Sequence, residues 1–371
     1  MTDQQNLPRY GVDFYMDWVK KEGLPVTEDY GVDLFKVPLA DWPRYGCKGA
    51  AVHLKGRCDF SNMFLFEIAP GASTIPQRHL YEDVFYVLEG RGSTQVEFAD
   101  GKKHTFEWAP KSLFAIPLNA KHRHFNASGK DRVLMVSTTD MPLVMNTFHN
   151  EAFVFENNFD FMERSGKEKY YSGEGDLITV RPGNHMWETN FVPDLSGIEL
   201  KSWGDRGAGG TNIMFVLADG TMHAHISEMP VGTYKKGHRH GPGYHVMCVT
   251  GHGYSLLWFE GEQEFLRIDW QHGVVFPPAD RQFHQHFNTS QNPARYLATG
   301  VGGLRYPLTT DKRRSLLGLK PGEKGAVSLS MKEGGDQMEY EDQDPRIHKI
   351  WLGEMAKNQV MPKMDNFKVA Q

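Results

Sequence analysis

Apolar residues fall in short runs broken by Gly, Pro and Asn-type turns, as in Asp83-Val-Phe-Tyr-Val-Leu-Glu89, and no run approaches the roughly 18 residues a membrane-spanning helix needs. Two segments alternate apolar and polar positions around a tight turn. Val96-Glu-Phe-Ala-Asp-Gly-Lys-Lys-His-Thr-Phe106 reverses at Asp-Gly, and Leu257-Trp-Phe-Glu-Gly-Glu-Gln-Glu-Phe265 at Glu-Gly, so each predicts a β-hairpin. Helical spacing is confined to the ends. Val12 to Glu22 places Phe14, Trp18 and Val19 on one face and stops at Gly23, and Ile347 to Met355 predicts a second helix that docks on a barrel or a neighbouring subunit.

The hairpins belong to a repeat. Ala69-Pro-Gly-Ala-Ser-Thr-Ile-Pro-Gln-Arg-His79 shares its pattern with Met229-Pro-Val-Gly-Thr-Tyr-Lys-Lys-Gly-His-Arg-His240, and Gly90-Arg-Gly92 recurs as Gly251-His-Gly253. Both units close with an apolar run, Pro, and a His-x-His-Phe-Asn tract. These are Phe114-Ala-Ile-Pro117 with His122-Arg-His-Phe-Asn126, and Val274-Val-Phe-Pro-Pro278 with His284-Gln-His-Phe-Asn288, an offset of about 161 residues. A chain of 371 residues exceeds a typical single core, and its 38 Gly and 20 Pro suit many turns between short strands. The expected division is a helical extension over 1–45, a first barrel over 46–145, a linker with some strands and a short helix over 146–204, a second barrel over 205–305 and a C-terminal extension over 306–371.

Charge narrows the partners. A formal net charge of −5, with no run of Lys or Arg to track a phosphate backbone, argues against nucleic acid, and the apolar pattern argues against a membrane. Cys47, Cys58 and Cys248 are odd in number and widely spaced, and Met1 to Tyr10 lacks a basic segment followed by an apolar run, so a reducing, cytoplasmic setting is expected.

The candidate chemistry lies in the second unit. In an extended segment His238 and His240 share a face, so both imidazoles point inward and Arg239 outward, while His284 arrives 44 residues later on a strand expected nearby. Taken singly each is an ordinary surface histidine; together, in the repeat frame, they read as a three-nitrogen metal site. His245 follows Tyr244 directly and faces the other way, so it is left out of the ligand set. His124 and His286 share a face with His122 and His284 and read as pocket wall.

These residues carry a resemblance to the cupin superfamily, whose first motif runs Gly, five residues, His-x-His, three or four residues, Glu, six residues, Gly. Gly232, His238, His240, Tyr244 and Gly251 fill that frame, and His284 with Asn288 match the end of the second motif, where Arg281 replaces a Gly. The resemblance covers roughly residues 60–140 and 220–300. It implies an all-β bicupin, two tandem double-stranded β-helix (jelly-roll) barrels with short terminal helices. Tyr244 in place of the Glu ligand leaves three histidines, as in cupin dioxygenases resembling gentisate dioxygenase. In the first unit the aligned positions hold Gln77, His79, Asp83 and His122, which predicts a degenerate barrel whose polar residues hydrogen-bond one another and bind metal weakly.

The implied function is a non-haem Fe(II) dioxygenase of a small hydroxylated aromatic or related chelating acid. Fe(II) is the leading metal, with Mn, Ni, Zn or Cu as alternatives, and no organic cofactor site is expected. Tyr244 is the acid–base candidate, His286 the pocket wall and Arg281 the anchor for an anionic substrate. A metal-dependent lyase, decarboxylase or hydrolase with Tyr244 as proton carrier is the alternative, and a non-catalytic bicupin binding protein a third reading. The terminal extensions suggest a homodimer or higher homo-oligomer.

Overall fold

The computed structural model describes residues 11–181, 184–241, 243–308 and 323–370; the reading of Met1–Tyr10 and part of the Arg181-Pro-Gly-Asn turn lie outside these residues. Each half of the chain builds one large sheet and one three-stranded sheet. In the first half the large sheet runs in the order Val26–Thr27, Cys47–Val52, Asn62–Ile68, Val133–Thr139, Asp83–Glu89, Leu113–Ala115 and Phe191–Val192. The small sheet is Lys121–Asn126, Gly92–Glu97 and Lys103–Trp108, the last two being the predicted hairpin. The second half repeats this, with Thr211–Leu217, Met222–Met229, Ala294–Val301, His245–Thr250 and Val274–Phe276 in the large sheet and Leu266–Gln271, His252–Trp258 and Phe283–Asn288 in the small one. The molecule is an all-β pair of jelly-roll domains.

The large sheets face each other across a shared apolar layer, where Tyr86, Leu113, Leu134 and Val136 meet Phe215, Met247 and Leu297. At its centre the hydroxyls of Thr138 and Thr299 hydrogen-bond at 2.7 Å, and these two positions are 161 residues apart, the offset of the repeat itself. The duplicated units therefore meet through equivalent positions, as the halves of a two-fold dimer do.

The segment expected as a linker is woven into both halves. Asp176–Arg181 and Asn184–Thr189 extend the second large sheet, the latter running parallel to Thr211–Leu217, while Phe191–Val192 pairs with Leu113–Ala115 of the first. The N-terminal extension does the same: Val26–Thr27 joins the first sheet and Val32–Asp33 the second. Strands this short, added at sheet edges, carry too few alternating positions to register as strands in the sequence.

The N-terminal helix Phe14–Lys21 starts where the Asp13 carboxylate accepts from Met16 N at 3.0 Å, and it buries Tyr15, Trp18 and Val19, so Tyr15 rather than Phe14 completes the inner face. The C-terminal helix Pro345–Lys357 lays Ile347, Trp351 and Met355, at four-residue spacing, over Tyr254, Phe283 and Phe287 on the outer face of the second small sheet. That cover fixes which way the strand beneath it turns its histidines. Among the described residues no helix is long and apolar enough to cross a membrane.

The interiors of the two barrels differ. The first is filled by Phe64, Phe66, Phe85 and Phe114. At the positions 161 residues later, Phe64, Phe66 and Phe85 give way to His225, Ser227 and Val246, which leaves the second interior more polar and less filled.

Candidate metal centre

In the strand Phe283–Asn288, Phe283 and Phe287 pack under the C-terminal helix, so alternation turns His284 and His286 to the barrel interior. Its neighbour can approach closely because Gly253 has no side chain: a Cβ there would sit 2.0 Å from the Phe287 carbonyl oxygen, and Gly92 stands in the same relation to Phe125. Asn288 ties the end of the strand down, its amide donating to the carbonyls of Met229, Pro230 and Asn292.

His238 joins this strand through a two-way backbone pairing with His284, His238 N to His284 O at 3.1 Å and His284 N to His238 O at 2.9 Å. The pairing is an isolated bridge rather than the continuous strand the sequence suggests, yet it still brings in both histidines of the His-x-His pair. One ligand-type atom from each of His238, His240 and His284 lies within 4.8 Å of the other two, the only such grouping of three His, Cys, Asp or Glu among the described residues.

The protonation of two of these rings follows from geometry. His238 Nδ1 lies 3.2 Å from the Lys236 carbonyl and His284 Nδ1 3.1 Å from the Gln282 carbonyl. A carbonyl only accepts, so each Nδ1 carries the proton and each Nε2 presents a lone pair. Burial, with the nearby Arg206 charge adding to it, holds His238 well below the usual imidazole range, and burial takes His284 down to about 3. Both are neutral near pH 7, the state a metal requires of an imidazole ligand.

Around the triad lies a small cavity walled by His225, Tyr244, Pro278, His286 and Tyr296, with about 20 Å³ open to the centre of a water-sized group. Tyr244 is buried, its ring centroid 5.0 Å from those of His240 and His223. It fits because residue 300 is Gly, where a Cβ would come within 2.3 Å of Tyr244 Cδ1. His286 lines the cavity, with Ser255 Oγ 2.7 Å from its Nδ1 and the Trp270 indole donating to the same oxygen at 3.0 Å. His245 faces away, toward His53 and Arg57 on the first barrel's side.

Arg281 does not line the cavity. It has a left-handed backbone, φ 60°, and its guanidinium is engaged by Asp336 at 2.6 Å, so the expected anion anchor is already neutralised outside the site. Two buried cations act on the cluster instead, and the sequence reading missed both. Arg206 is 5% exposed and Lys235 3% exposed, and neither forms an ion pair with the described residues. The Lys235 ammonium lies 5.0 Å over the Tyr296 ring, and the Arg206 charge acts on His238, His284 and His286. Arg206 Nη1 is buried with no hydrogen-bond partner, and burial takes the guanidinium down to about 10 and the Lys235 ammonium below its usual range. Arg206 was hidden because Gly204-Asp-Arg-Gly207 reads as a solvated turn.

In the first barrel only one of the expected mutual contacts forms, His79 Nε2 to Asp83 Oδ2 at 3.4 Å, and Asp83 also meets the Ser137 and Thr139 hydroxyls. Gln77 turns away, its amide donating to the Arg44 and Ile75 carbonyls at 2.9 and 3.0 Å. Asp83 Oδ1, His122 Nε2 and His124 Nε2 are buried without a hydrogen-bond partner. His124 repeats the second barrel's wall contact, with Thr94 Oγ1 at 2.8 Å from Nδ1 and Trp108 donating to the same hydroxyl.

Comparison with known proteins agrees with this architecture. Residues 64–138 match the cupin domain family. No curated protein sequence matches the chain. Among solved structures, the formate complex of Lactobacillus farciminis oxalate decarboxylase is similar with a TM-score of 0.50 at 13% identity, covering 76% of this chain and 89% of that one. A deletion mutant of Bacillus subtilis oxalate decarboxylase is similar with a TM-score of 0.48 at 13% identity, covering 74% and 78%. At such identity the likeness is one of fold. The first half thus holds a matched cupin domain over residues 64–138, and the second half repeats its jelly-roll architecture.

Proposed function

We propose that this bicupin is a metal-dependent enzyme of small carboxylic acids, holding a divalent cation at His238, His240 and His284 and catalysing a redox-neutral reaction of the lyase or decarboxylase class. The observation that carries this reading is the pair of buried cations, Arg206 and Lys235, that lack a carboxylate partner beside a cluster of neutral imidazoles. An uncompensated buried charge costs several kcal/mol, and an anionic substrate offsets that cost. Arg206 suits a planar carboxylate, which a guanidinium grips through parallel N–H donors, and Lys235 adds a point charge.

The bound metal supplies Lewis acidity, which Mn, Ni, Zn or Fe(II) provides without a change of oxidation state. The chain's own groups do the rest. Arg206 and Lys235 orient the acid, and Tyr244, beside His240, holds a hydroxyl that exchanges a proton with the reacting centre. The Pro278 and Val246 walls keep water out. The tight cavity favours an acid of a few heavy atoms over an aromatic ring. The Lactobacillus farciminis fold neighbour is an oxalate decarboxylase, a chemistry of the same class.

The Fe(II) dioxygenase is the second reading, favoured by a cavity wall that holds no carboxylate among the described residues. His238, His240 and His284 would hold Fe(II) and leave it open to a chelating substrate and O2. The deciding experiment loads purified protein separately with Mn, Fe(II), Ni and Zn and presents short mono- and dicarboxylates and hydroxylated aromatic acids, following CO2 release and O2 uptake together. Product from a short acid without O2 consumption supports the proposal. O2 uptake matched to loss of an aromatic acid overturns it in favour of the dioxygenase, and binding without turnover favours the non-catalytic reading.

A further inference from the structure

One strand of the second barrel carries two histidines that the metal centre does not use. In Met222–Met229, the side chains of Met222, Ala224 and Ile226 belong to the apolar layer between the barrels, so alternation turns His223 and His225 to the barrel interior. His225 lines the cavity that holds His238, His240 and His284, and its Nδ1 lies 2.7 Å from His223 Nε2. His223 is buried, its ring centroid 5.0 Å from that of Tyr244. The repeat supplies a control. At the positions 161 residues earlier the first barrel holds Asn62 and Phe64 on its strand Asn62–Ile68, so the same fold forms with no imidazole at either place. Packing alone does not call for this pair.

A hydrogen bond between two imidazole nitrogens holds one proton and has two forms. When His223 Nε2 donates, His225 Nδ1 accepts and the His225 ring carries its own proton on Nε2. When His225 Nδ1 donates, a neutral His225 presents a lone pair on Nε2 instead. Moving one proton across this bond turns the same ring from an acid into a base.

We propose that His225 is a catalytic proton donor to the acid held in the cavity, and that His223 is the positioning residue that sets its tautomer and resupplies its proton; the assignment rests on the lyase reading above. In a decarboxylation the bond from carbon to the carboxylate breaks, CO2 leaves, and the electron pair stays on the carbon. That carbon takes the proton of His225 Nε2, His225 Nδ1 takes the proton that His223 Nε2 held, and His223 takes one from solvent. The acid anion and one solvent proton thus give CO2 and the protonated fragment, with no oxidant. Such chemistry needs one group to accept the acid's proton and another to return a proton to carbon, and Tyr244 and His225 are two proton-bearing groups on the same cavity wall.

The test uses the full chain loaded with metal, as wild type, His225→Phe, His223→Asn, their double variant and His225→Ala. The first two install the side chains that the first barrel carries at these positions. All are expected to keep the metal content of the wild type by elemental mass spectrometry. On a short carboxylate turned over with CO2 release, His225→Phe is expected to lower kcat about 100-fold. His223→Asn is expected to lower it about 10-fold and to alter the pH profile of kcat, and the double variant to fall no further than His225→Phe, because the two rings act as a unit. Added imidazole is expected to restore part of the rate lost in His225→Ala, which a packing role does not produce. An undiminished kcat in His225→Phe overturns the assignment and spares the lyase reading. A second readout needs no turnover: in Zn-loaded protein with isotope-labelled histidine rings, acetate is expected to shift the ring nitrogens of His225 and His223 together in the NMR spectrum. Wild type that releases no CO2 from any short acid, yet shows this joint shift, counts against the lyase reading and supports the pair as ligand-facing; rings that stay silent to acetate overturn the pair's role.

Discussion

Tyr244 rests on Gly300 and against His240, and its position depends on the space that glycine leaves. Gly300→Ala forces the ring to move, and Tyr244→Phe removes only the hydroxyl. Both variants are expected to keep their metal, with kcat lowered about 100-fold in Tyr244→Phe as befits loss of a proton-transfer group. Steady-state kinetics beside metal analysis checks this, and unchanged kcat in Tyr244→Phe removes the phenol from the chemistry. Arg206→Gln is expected to lower kcat/KM by roughly 100-fold, mostly through KM, because it removes a buried charge that pairs with the substrate. The same variant is expected to retain full metal occupancy. At this scale the sequence displayed the three metal-type histidines, since a His-x-His pair and a distant His in duplicated frames leave few alternatives. It did not display Arg206 or Lys235. Lys235 stands next to Lys236, which pairs with Glu339, and nothing in a Lys-Lys step tells which ammonium is buried.

Among the elements, the Asn that ends each His-x-His-Phe-Asn tract is a structural staple. Asn126 donates to the carbonyls of Ile68, Ala69 and Asp131, just as Asn288 donates to those of Met229, Pro230 and Asn292. Asn126→Ala and Asn288→Ala each strand several buried carbonyls and are expected to cost about 3 kcal/mol, nearly equally in the two barrels. Urea unfolding measures this, and a loss under 1 kcal/mol in either contradicts the role. The hairpins and the apolar runs that close each unit were legible because alternation and turn residues recur at the repeat offset. The edge strands Val32–Asp33 and Phe191–Val192 were not, since two residues define no period and their partners lie far away in sequence.

For the molecule as a whole, burial of neutral histidines sets the acid limit. Burial lowers His53 and His122 to about 4 and His245 and His284 to about 3, all below the unfolded value near 6.5. The unfolded chain therefore binds more protons below that value, so their contribution is complete above about pH 6.5 and is lost as pH falls through the folded values. Asp83, which burial raises to about 7, acts in the opposite sense between about pH 4 and 7, but it is one group against several. The thermal midpoint of metal-free protein is expected to fall steadily from pH 6.5 to pH 4, and a flat profile contradicts this account. Duplication was visible from sequence, but the weaving of both halves by segments 1–45 and 146–204 was not, because pairing between distant strands leaves no local pattern. The central claim is that His238, His240 and His284 together hold one cation, and anomalous diffraction at the absorption edge of the loaded metal tests it most directly. The account predicts a peak about 2.1 Å from one nitrogen of each of the three rings; a metal-loaded crystal with no peak between them contradicts it.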